Sequence, residues 1–248
     1  MTAPMSILTG ASRGLGRALA EQLLARGHHV LALARGAVDL PVPRGAALQA
    51  WAVDLASPAA VAQDLDAWLR AQDPAALSSA TLIHNAGVIS KLAPLSAVDA
   101  DDLANALRVG LEAPLLLTAA FLRATQAWPA PRKVLFVSSG LGRRAMAGSA
   151  SYCAAKAGLD HLARALALEE SAKPSGARVV SLAPGVIDTD MQRQLRSGDA
   201  KLFPEAARFA ALKSGGQLDS PAAAAAKLLA YLDRPDFGTQ PVADVRDA

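Results

Sequence analysis

The residues best suited to chemistry are a phenol and an ammonium group that lie close together in the sequence. Tyr152 and Lys156 stand four positions apart, so on a helix their side chains share one face. A tyrosine with its ordinary pKa of about 10 exchanges protons poorly at neutral pH unless a nearby positive charge stabilises the phenolate. Lys156 can supply that charge. Upstream, Ser138 and Ser139 end an apolar run, and a hydroxyl at Ser139 can hydrogen-bond a substrate oxygen and a developing alkoxide.

A glycine-rich segment near the start of the chain is the second candidate for a functional role. Residues 9–16 lie between an apolar run at 6–8 and a helical pattern of leucines, which is the setting that a dinucleotide-binding turn requires. Gly10 allows the tight turn, Gly14 lets the backbone approach a pyrophosphate, and Gly16 lets helix and strand pack closely. The free N–H groups at the start of the helix then face the phosphates.

The end of the second predicted strand bears on which cofactor binds. This strand covers 30–33 and is followed by Ala34 and Arg35, with no carboxylate. An NAD enzyme usually carries Asp or Glu here to hold the ribose 2′-hydroxyl. The guanidinium groups of Arg13 and Arg35 suit a 2′-phosphate instead. The sequence therefore favours NADP(H), the alternative being two solvated surface arginines.

The elements that must position these residues alternate between strands and helices. Further apolar runs predict strands at 48–53, 81–83, 133–137 and 178–182. A helix over 151–170 carries Tyr152 and Lys156, and another follows Ser220-Pro221. Such alternation predicts an α/β fold, a single-domain doubly wound parallel sheet of Rossmann type with helices on both faces, over 1–248. Its ligand crevice should lie at the carboxyl ends of the strands.

Composition excludes several other classes of protein. Of the 248 residues, 52% are hydrophobic and 19% charged, which provides a core and gives no sign of disorder. The net charge of +3 comes without any run of like charges, so no nucleic-acid partner is expected. Cys153 is the only cysteine, and neither His84 nor the pair His28-His29 has metal-ligand spacing, so no metal is expected. The start lacks a signal-peptide pattern and the longest apolar stretch, near 115–122, is short, which predicts a cytoplasmic protein without membrane contact.

Taken together, these motifs resemble the short-chain dehydrogenase/reductase family over nearly the whole chain. The matching residues, in order, are 9–16, Asp54, Asn85-Ala86-Gly87, Ser139, Tyr152, Lys156, Pro184-Gly185 and Thr189. The resemblance implies an oxidoreductase that moves a hydride between a nicotinamide cofactor and a small carbonyl compound. Ser139, Tyr152 and Lys156 would be its catalytic residues, with Tyr152 as the proton donor.

The resemblance also implies a cofactor site, a substrate loop and an assembly. The residues expected to bind NADP(H) are Gly10, Ser12, Arg13, Gly14, Leu15, Gly16, Arg35, Asp54, Asn85, Ala86, Gly87, Tyr152, Lys156, Pro184, Gly185, Ile187 and Thr189. Asp54 would lie near the adenine, Lys156 at the nicotinamide ribose and Thr189 at the nicotinamide end. A mobile substrate loop would run from about 186 to 216. The family further implies a homodimer or homotetramer.

Within the family, the chain is most similar to the sepiapterin reductase and benzil reductase group. The similarity lies in residues 8–17, 184–192 and 212–229. It implies reduction of a small ketone, a vicinal diketone or a pterin side-chain diketone, with Ser139, Leu141, Met191 and Asp244 near the substrate. Asp244 matches an acidic residue that anchors the pterin, although a solvated Asp in a C-terminal tail is the ordinary alternative. A 3-oxoacyl-thioester reductase would use the same catalytic residues.

One position departs from the family pattern. Val109-Gly110-Leu111 stands where the family has a Val-Asn-Leu-like triplet, whose Asn holds a water in a proton relay to the lysine. Gly110 has no side chain for this, so either water fills the gap or turnover is weakened. In the second case the chain could be an NADP(H)-binding sensor or scaffold, but the intact Ser139, Tyr152 and Lys156 argue against this alternative. Alternatively, Gly110 is structural and allows a close approach of helices.

Overall fold

The first strand and the helix after it begin a pattern that most of the chain repeats. In the computed structural model, which describes residues 2–247, β1 (Ala3–Thr9) leads through the glycine turn into α1 (Gly14–Ala25). The other elements are β2 (His29–Ala34), β3 (Ala47–Ala52), α2 (Pro58–Arg70), β4 (Leu77–His84), α3 (Ala100–Leu107), α4 (Ala113–Ala124), β5 (Arg132–Val137), α5 (Ala150–Ser171), β6 (Arg178–Ala183), α6 (Asp190–Arg196), α7 (Ala206–Ser214), α8 (Pro221–Leu232) and β7 (Val242–Asp244).

All seven strands join one parallel sheet in the order β3-β2-β1-β4-β5-β6-β7. β1 pairs with β2 on one side and with β4 on the other, so the strand order reverses between β1 and β4. Parallel neighbours require crossover connections, and here helices supply most of them. The predicted single-domain, doubly wound sheet is therefore confirmed. A crevice opens where the order reverses, at the carboxyl ends of β1 and β4.

Alternate side chains of the strands bury one apolar layer on each face of the sheet. In β1, Ile7 packs in the cluster that includes α2, α4 and α5, whereas Leu8 packs in the cluster that includes α1 and α8. In β4, Leu82 and Ile83 divide between the two clusters in the same way. Because both faces are covered, the central strands are mostly apolar, and their carboxyl ends border the space open to a ligand.

A long helical stretch crosses one face of the sheet. α3 continues through a π-helical segment, Arg108–Glu112, directly into α4. The 25-residue stretch Ala100–Ala124 is long and apolar enough to cross a membrane. The apolar run near 115–122 that the sequence shows is shorter than this continuous helical stretch. Half of its most apolar window is buried in the protein, and it packs against α2 and α5. The core helix of a folded domain has the same length and composition.

Two regions differ from the sequence-based expectations. β7 was not predicted, since it has only three residues and pairs with β6 alone, from Ser181 beside Val242 to Ala183 beside Asp244. The region 186–216, predicted to be a substrate loop, contains the helices α6 and α7. These helices form because apolar residues of α7, such as Phe209, pack in a third cluster with Phe203. The mobility of this region stays a prediction.

Candidate active site

A single crevice of about 1390 Å³ lies at the carboxyl ends of the strands. It is lined by every residue predicted to bind cofactor or substrate, from both halves of the chain. These residues are Gly10, Ser12, Arg13, Gly14, Leu15, Gly16, Arg35, Asp54, Asn85, Ala86, Gly87, Ser139, Leu141, Tyr152, Lys156, Pro184, Gly185, Ile187, Thr189, Met191 and Asp244. The fold thus brings together residues that are distant in sequence, while their individual roles stay predictions.

The glycine turn after β1 forms a cradle that side chains would fill. Gly10 and Gly14 adopt φ angles of 74° and 54°, which favour glycine. A Cβ atom on Gly16 would lie 2.0 Å from the carbonyl oxygen of Gly10, so helix α1 can start this close to the turn only without one. No side chain caps the first turn of α1, and its N–H groups are left for a ligand. These features fit the pyrophosphate of a dinucleotide.

Asn85, at the end of β4, joins the two strands that border the crevice. Its side-chain Nδ2 donates to the carbonyl oxygens of Thr9 and Gly10, at 3.1 and 3.3 Å. The Thr9 hydroxyl in turn accepts from the backbone N–H groups of Asn85 and Ala86, both at 3.0 Å. Asn85 therefore shapes the glycine turn from behind. The only signal for this function of Thr9 in the sequence is its place at the start of the motif.

The edge of the crevice beside β2 carries two guanidinium groups. Arg13 lies 3.1 Å from a carboxylate oxygen of Asp190, but the two side chains are 72% and 43% exposed, so water screens this ion pair. The exposed Arg35 makes no ion pair or side-chain hydrogen bond within residues 2–247. On the next strand, Asp54 accepts from the N–H of Ala56 at 3.0 Å and borders the crevice. Arg35, directly after β2, and Arg13, in the glycine turn, both line the crevice at this edge.

The three predicted catalytic side chains meet between β5 and α5. Ser139 follows β5, and its Oγ accepts from the N–H of Leu141 at 3.1 Å. Tyr152 and Lys156 lie on the same face of α5, with the Lys156 Nζ 5.6 Å from the centre of the Tyr152 ring. The ammonium donates to the carbonyl oxygen of Val137 at 2.7 Å, which fixes it beside the end of β5.

Burial shifts the pKa values of both titratable members of this group. Burial raises the pKa of the Tyr152 phenol to about 12, against the lowering effect of the Ser139 hydroxyl. Burial also lowers the pKa of the Lys156 ammonium to about 8, against the raising effect of the Asp160 carboxylate. At neutral pH the phenol therefore holds its proton and the ammonium is largely charged. Such a pair can donate a proton to a ligand and restrain the phenolate that results.

A buried carboxylate that sequence reasoning missed supports this group. Asp160 lies one helical turn beyond Lys156 and is 1% exposed. Its Oδ1 accepts from the hydroxyls of Ser138, at 2.6 Å, and Ser181, at 2.7 Å, so it ties α5 to the ends of β5 and β6. The only sequence signal was its spacing of four residues from Lys156, on the face that the helix buries.

The end of the crevice that is predicted to bind the substrate, here called the substrate end, is apolar on one side and charged on the other. α6 and α7 cover it with a cluster formed by Leu92, Phe203, Ala206 and Phe209, against which Ile89, Met146, Leu195 and Leu212 pack. Arg143 and Arg246 line the charged side near Asp244. Sequence reasoning named Leu141 and Met191 here but missed both arginines.

Asp244 is not a solvated tail residue, because β7 buries it to 6% exposure. Arg246 donates to its carboxylate at 2.8 and 2.6 Å, and Arg143 lies 3.9 Å away. The hydrogen bonds from Arg246 hold the pKa of this carboxyl below its ordinary range. A ligand that uses Asp244 as an acceptor must therefore compete with Arg246.

Gly110 lies in the π-helical segment, where the stretch from α3 to α4 passes α5. A Cβ atom at this position would stand 3.0 Å from the Cβ of Ala155, the residue before Lys156. Such a distance is tighter than ordinary van der Waals contact, so the Ala155 side chain would have to move by a few tenths of an ångström. The structure therefore supports a packing role for Gly110.

His84 packs in the core beside β5. His84 is buried, its Nε2 lies 2.8 Å from the Thr118 hydroxyl, and its ring stacks on Phe136. Burial lowers its pKa to about 3, so it is neutral at physiological pH. Within residues 2–247, no group of three or more His, Cys, Asp or Glu side chains could hold a metal ion.

Comparison with known proteins agrees with this geometry. Residues 5–200 match the short chain dehydrogenase family. The chain is 33% identical over 228 residues to a benzil reductase ((S)-benzoin forming) of Bacillus subtilis, covering 92% of this chain and 93% of the relative. It is 36% identical over 248 residues to a sepiapterin reductase of Meriones unguiculatus, covering 93% of this chain and 92% of the relative.

A solved structure shares the fold over nearly the full length. It is a crystal structure from Agrobacterium tumefaciens with bound NADP, described as a candidate 2-deoxy-d-gluconate 3-dehydrogenase. The TM-score is 0.77 at 27% identity, with 99% of this chain and 95% of that chain covered.

Proposed function

The chain belongs to the short-chain dehydrogenase family of oxidoreductases, and we propose that it is an NADP(H)-dependent carbonyl reductase that reduces a small ketone or diketone. The observation that carries this proposal is the position of Tyr152 and Lys156. Both line the same crevice as the glycine turn, so a nicotinamide and a carbonyl group can meet beside the phenol. When bound, the nicotinamide supplies the hydride that reduces the carbonyl carbon.

Tyr152 donates the proton in this proposal. Its raised pKa keeps the phenol protonated, and its O–H donates to the carbonyl oxygen as that oxygen becomes an alkoxide. The Ser139 hydroxyl donates a second hydrogen bond to the same oxygen, which stabilises the negative charge that develops there. Lys156 stabilises the phenolate that remains and holds the nicotinamide ribose, while Thr189 contacts the nicotinamide end.

NADP(H) is the proposed cofactor because of the charges after β2. A 2′-phosphate needs cations, and Arg35 lies there without an acidic partner within residues 2–247. Arg13 adds a second guanidinium, provided the phosphate displaces the exposed carboxylate of Asp190. Arg–phosphate pairs are charge-assisted and often bidentate, which makes them among the stronger hydrogen-bonded contacts.

A vicinal diketone is the proposed substrate class, with a pterin side-chain diketone as its variant. The apolar cluster under α6 and α7 suits an aryl or alkyl ketone. The benzil reductase and sepiapterin reductase similarities favour the same class. The buried Asp244 favours the pterin variant, although Arg246 already occupies its carboxylate.

The experiment that tests this function is an NADPH-oxidation screen with benzil, sepiapterin and an acetoacetyl thioester side by side. We expect turnover of benzil or sepiapterin that depends on Tyr152. Turnover of the thioester alone would select a 3-oxoacyl-thioester reductase. Tight NADPH binding without turnover across a broad panel of ketones would favour the sensor or scaffold that the missing Asn at Gly110 suggests.

We further propose that the protein acts in the cytoplasm as a homodimer or homotetramer. The single cysteine, Cys153, excludes an intrachain disulfide and suits a reducing compartment. Light scattering after gel filtration would give the mass of the assembly, and a monomer at micromolar concentration would contradict the oligomer.

A further inference from the structure

Gln192 is a polar side chain whose hydrogen-bonding groups have no partner. It is 3% exposed, and within the described part of the chain neither its Nε2 nor its Oε1 makes a hydrogen bond. Other buried side chains with an unpaired atom, such as His84 and Asp160, have a partner for their remaining polar atom. Gln192 also lines the crevice that contains Tyr152.

Its place on α6 puts Gln192 between the glycine turn and the apolar cluster around Phe209. Thr189, just before α6, lies beside the glycine turn, where the cofactor is proposed to bind. A Cβ atom added to Gly14 would lie 3.5 Å from the Cγ2 of Thr189. Gln192 lies three residues further along and shares a face of α6 with Leu195. Leu195 packs against the apolar cluster at the substrate end, which includes Phe209.

An unpaired buried amide is costly, and this cost points to a ligand. Burying a donor or acceptor without a partner forfeits its hydrogen bonds to water, so such groups are rare unless something else pairs with them. Within residues 2–247 no group pairs with either polar atom of the Gln192 amide. Gln192 lines the crevice, so a molecule bound there can supply the partner.

We propose that Gln192 is a specificity-determining residue whose amide donates a hydrogen bond to a second oxygen next to the reacting carbonyl of the substrate. This inference rests on the proposed carbonyl reduction at Tyr152. It assigns the second carbonyl of a vicinal diketone, or the hydroxyl of an α-hydroxy ketone, to the Gln192 amide, while the first carbonyl faces Tyr152 and Ser139. A site built to pair with an oxygen discriminates against the analogue that lacks it.

The test compares benzil with deoxybenzoin, which keeps both phenyl rings and one carbonyl but lacks the second. The variant is Gln192→Met, which preserves length and flexibility but removes the amide. Gln63→Met on the exposed face of α2 is the matched control. Dissociation constants are measured by calorimetry on each protein with NADP⁺ bound, since benzil cannot then be reduced, and kcat/KM is measured separately with NADPH.

We expect Gln192→Met to weaken benzil binding about 5-fold or more, with deoxybenzoin binding changed less than about 2-fold. The thermal midpoint of the ligand-free variant should stay level or rise, because the methionine removes an unpaired buried amide. Gln63→Met should change none of these quantities. If the wild type binds both ketones but oxidises no NADPH, the proposed function fails while the binding comparison still tests Gln192.

Three results would overturn the inference. An equal loss of affinity for both ketones would mean that Gln192 only shapes the pocket. A fall in the thermal midpoint with an unchanged affinity ratio would mean that the amide has a structural partner such as a bound water. Weaker NADP⁺ binding with an unchanged ratio would assign the amide to the cofactor.

Discussion

Gly110→Asn introduces the residue that the family resemblance leads us to expect, at a point where the π-helical segment packs against α5. Because a Cβ at this position would stand 3.0 Å from that of Ala155, we expect overpacking rather than a repaired proton relay. Overpacking a well-packed site costs about 1–3 kcal/mol, and replacing a helical glycine recovers less than about 0.5 kcal/mol. The net cost is then about 0.5–2.5 kcal/mol. For a chain of this size, 1 kcal/mol corresponds to about 2–4 °C, so the thermal midpoint should fall by roughly 1–10 °C.

The assay pairs thermal unfolding with single-turnover NADPH oxidation across pH, for the wild type and Gly110→Asn. A companion variant, Ala155→Gly, removes the opposing Cβ, so Gly110→Asn should cost less in its presence, with a coupling of about 1 kcal/mol. We expect no gain in the rate of the chemical step. A modest rate gain at any pH, with an unchanged thermal midpoint, would refute the packing role and show that the missing Asn had weakened the relay.

Three further predictions concern the cofactor and the lysine. In calorimetry at moderate salt, NADPH should bind more than about tenfold more tightly than NADH, and Arg35→Ala should reduce this preference mainly by weakening NADPH binding. Equal dissociation constants of the wild type for the two cofactors would contradict this. Lys156→Ala should reduce both NADPH affinity and turnover, since the ammonium is expected to serve the ribose and the phenol, and a variant that loses neither would remove Lys156 from the site. The pKa of Lys156 is lowered to about 8 and its charged form is the active one, so kcat/KM for ketone reduction should fall as the pH rises through about 8. Asp160→Asn removes the charge that raises this pKa, so the fall in kcat/KM should begin at lower pH. An unchanged pH profile would mean that Asp160 does not act on the lysine.

The sheet and the cofactor end could be predicted from the sequence because their signals are local. β1 and β2 are continuous apolar runs, as strands buried on both faces must be, and the glycines of 9–16 are imposed by a turn that tolerates no Cβ at Gly16. The absence of a carboxylate after β2 is likewise visible in the sequence itself. The boundaries differ because strand ends depend on pairing with neighbours.

The substrate end could not be predicted to the same extent because it depends on contacts between distant segments. β7 is too short to show a pattern, yet it buries Asp244 beside Arg143, a residue about a hundred positions earlier. The pairing of Asp160 with Ser138 and Ser181 appears only when β5 and β6 meet α5. The unpaired amide of Gln192 is a property of packing, since nothing in the sequence distinguishes it from an exposed glutamine.

The central claim is that Tyr152 donates the proton in an NADPH-dependent ketone reduction, and Tyr152→Phe tests it most directly. The substitution removes one hydroxyl and keeps the ring beside Lys156, so NADPH should bind with nearly the wild-type dissociation constant. With benzil as substrate, the wild type should oxidise NADPH, seen as a decay of its absorbance. The rate of NADPH oxidation by Tyr152→Phe should be lower by about 10²-fold or more. A Tyr152→Phe protein that binds NADPH and retains most of the wild-type rate would contradict the claim.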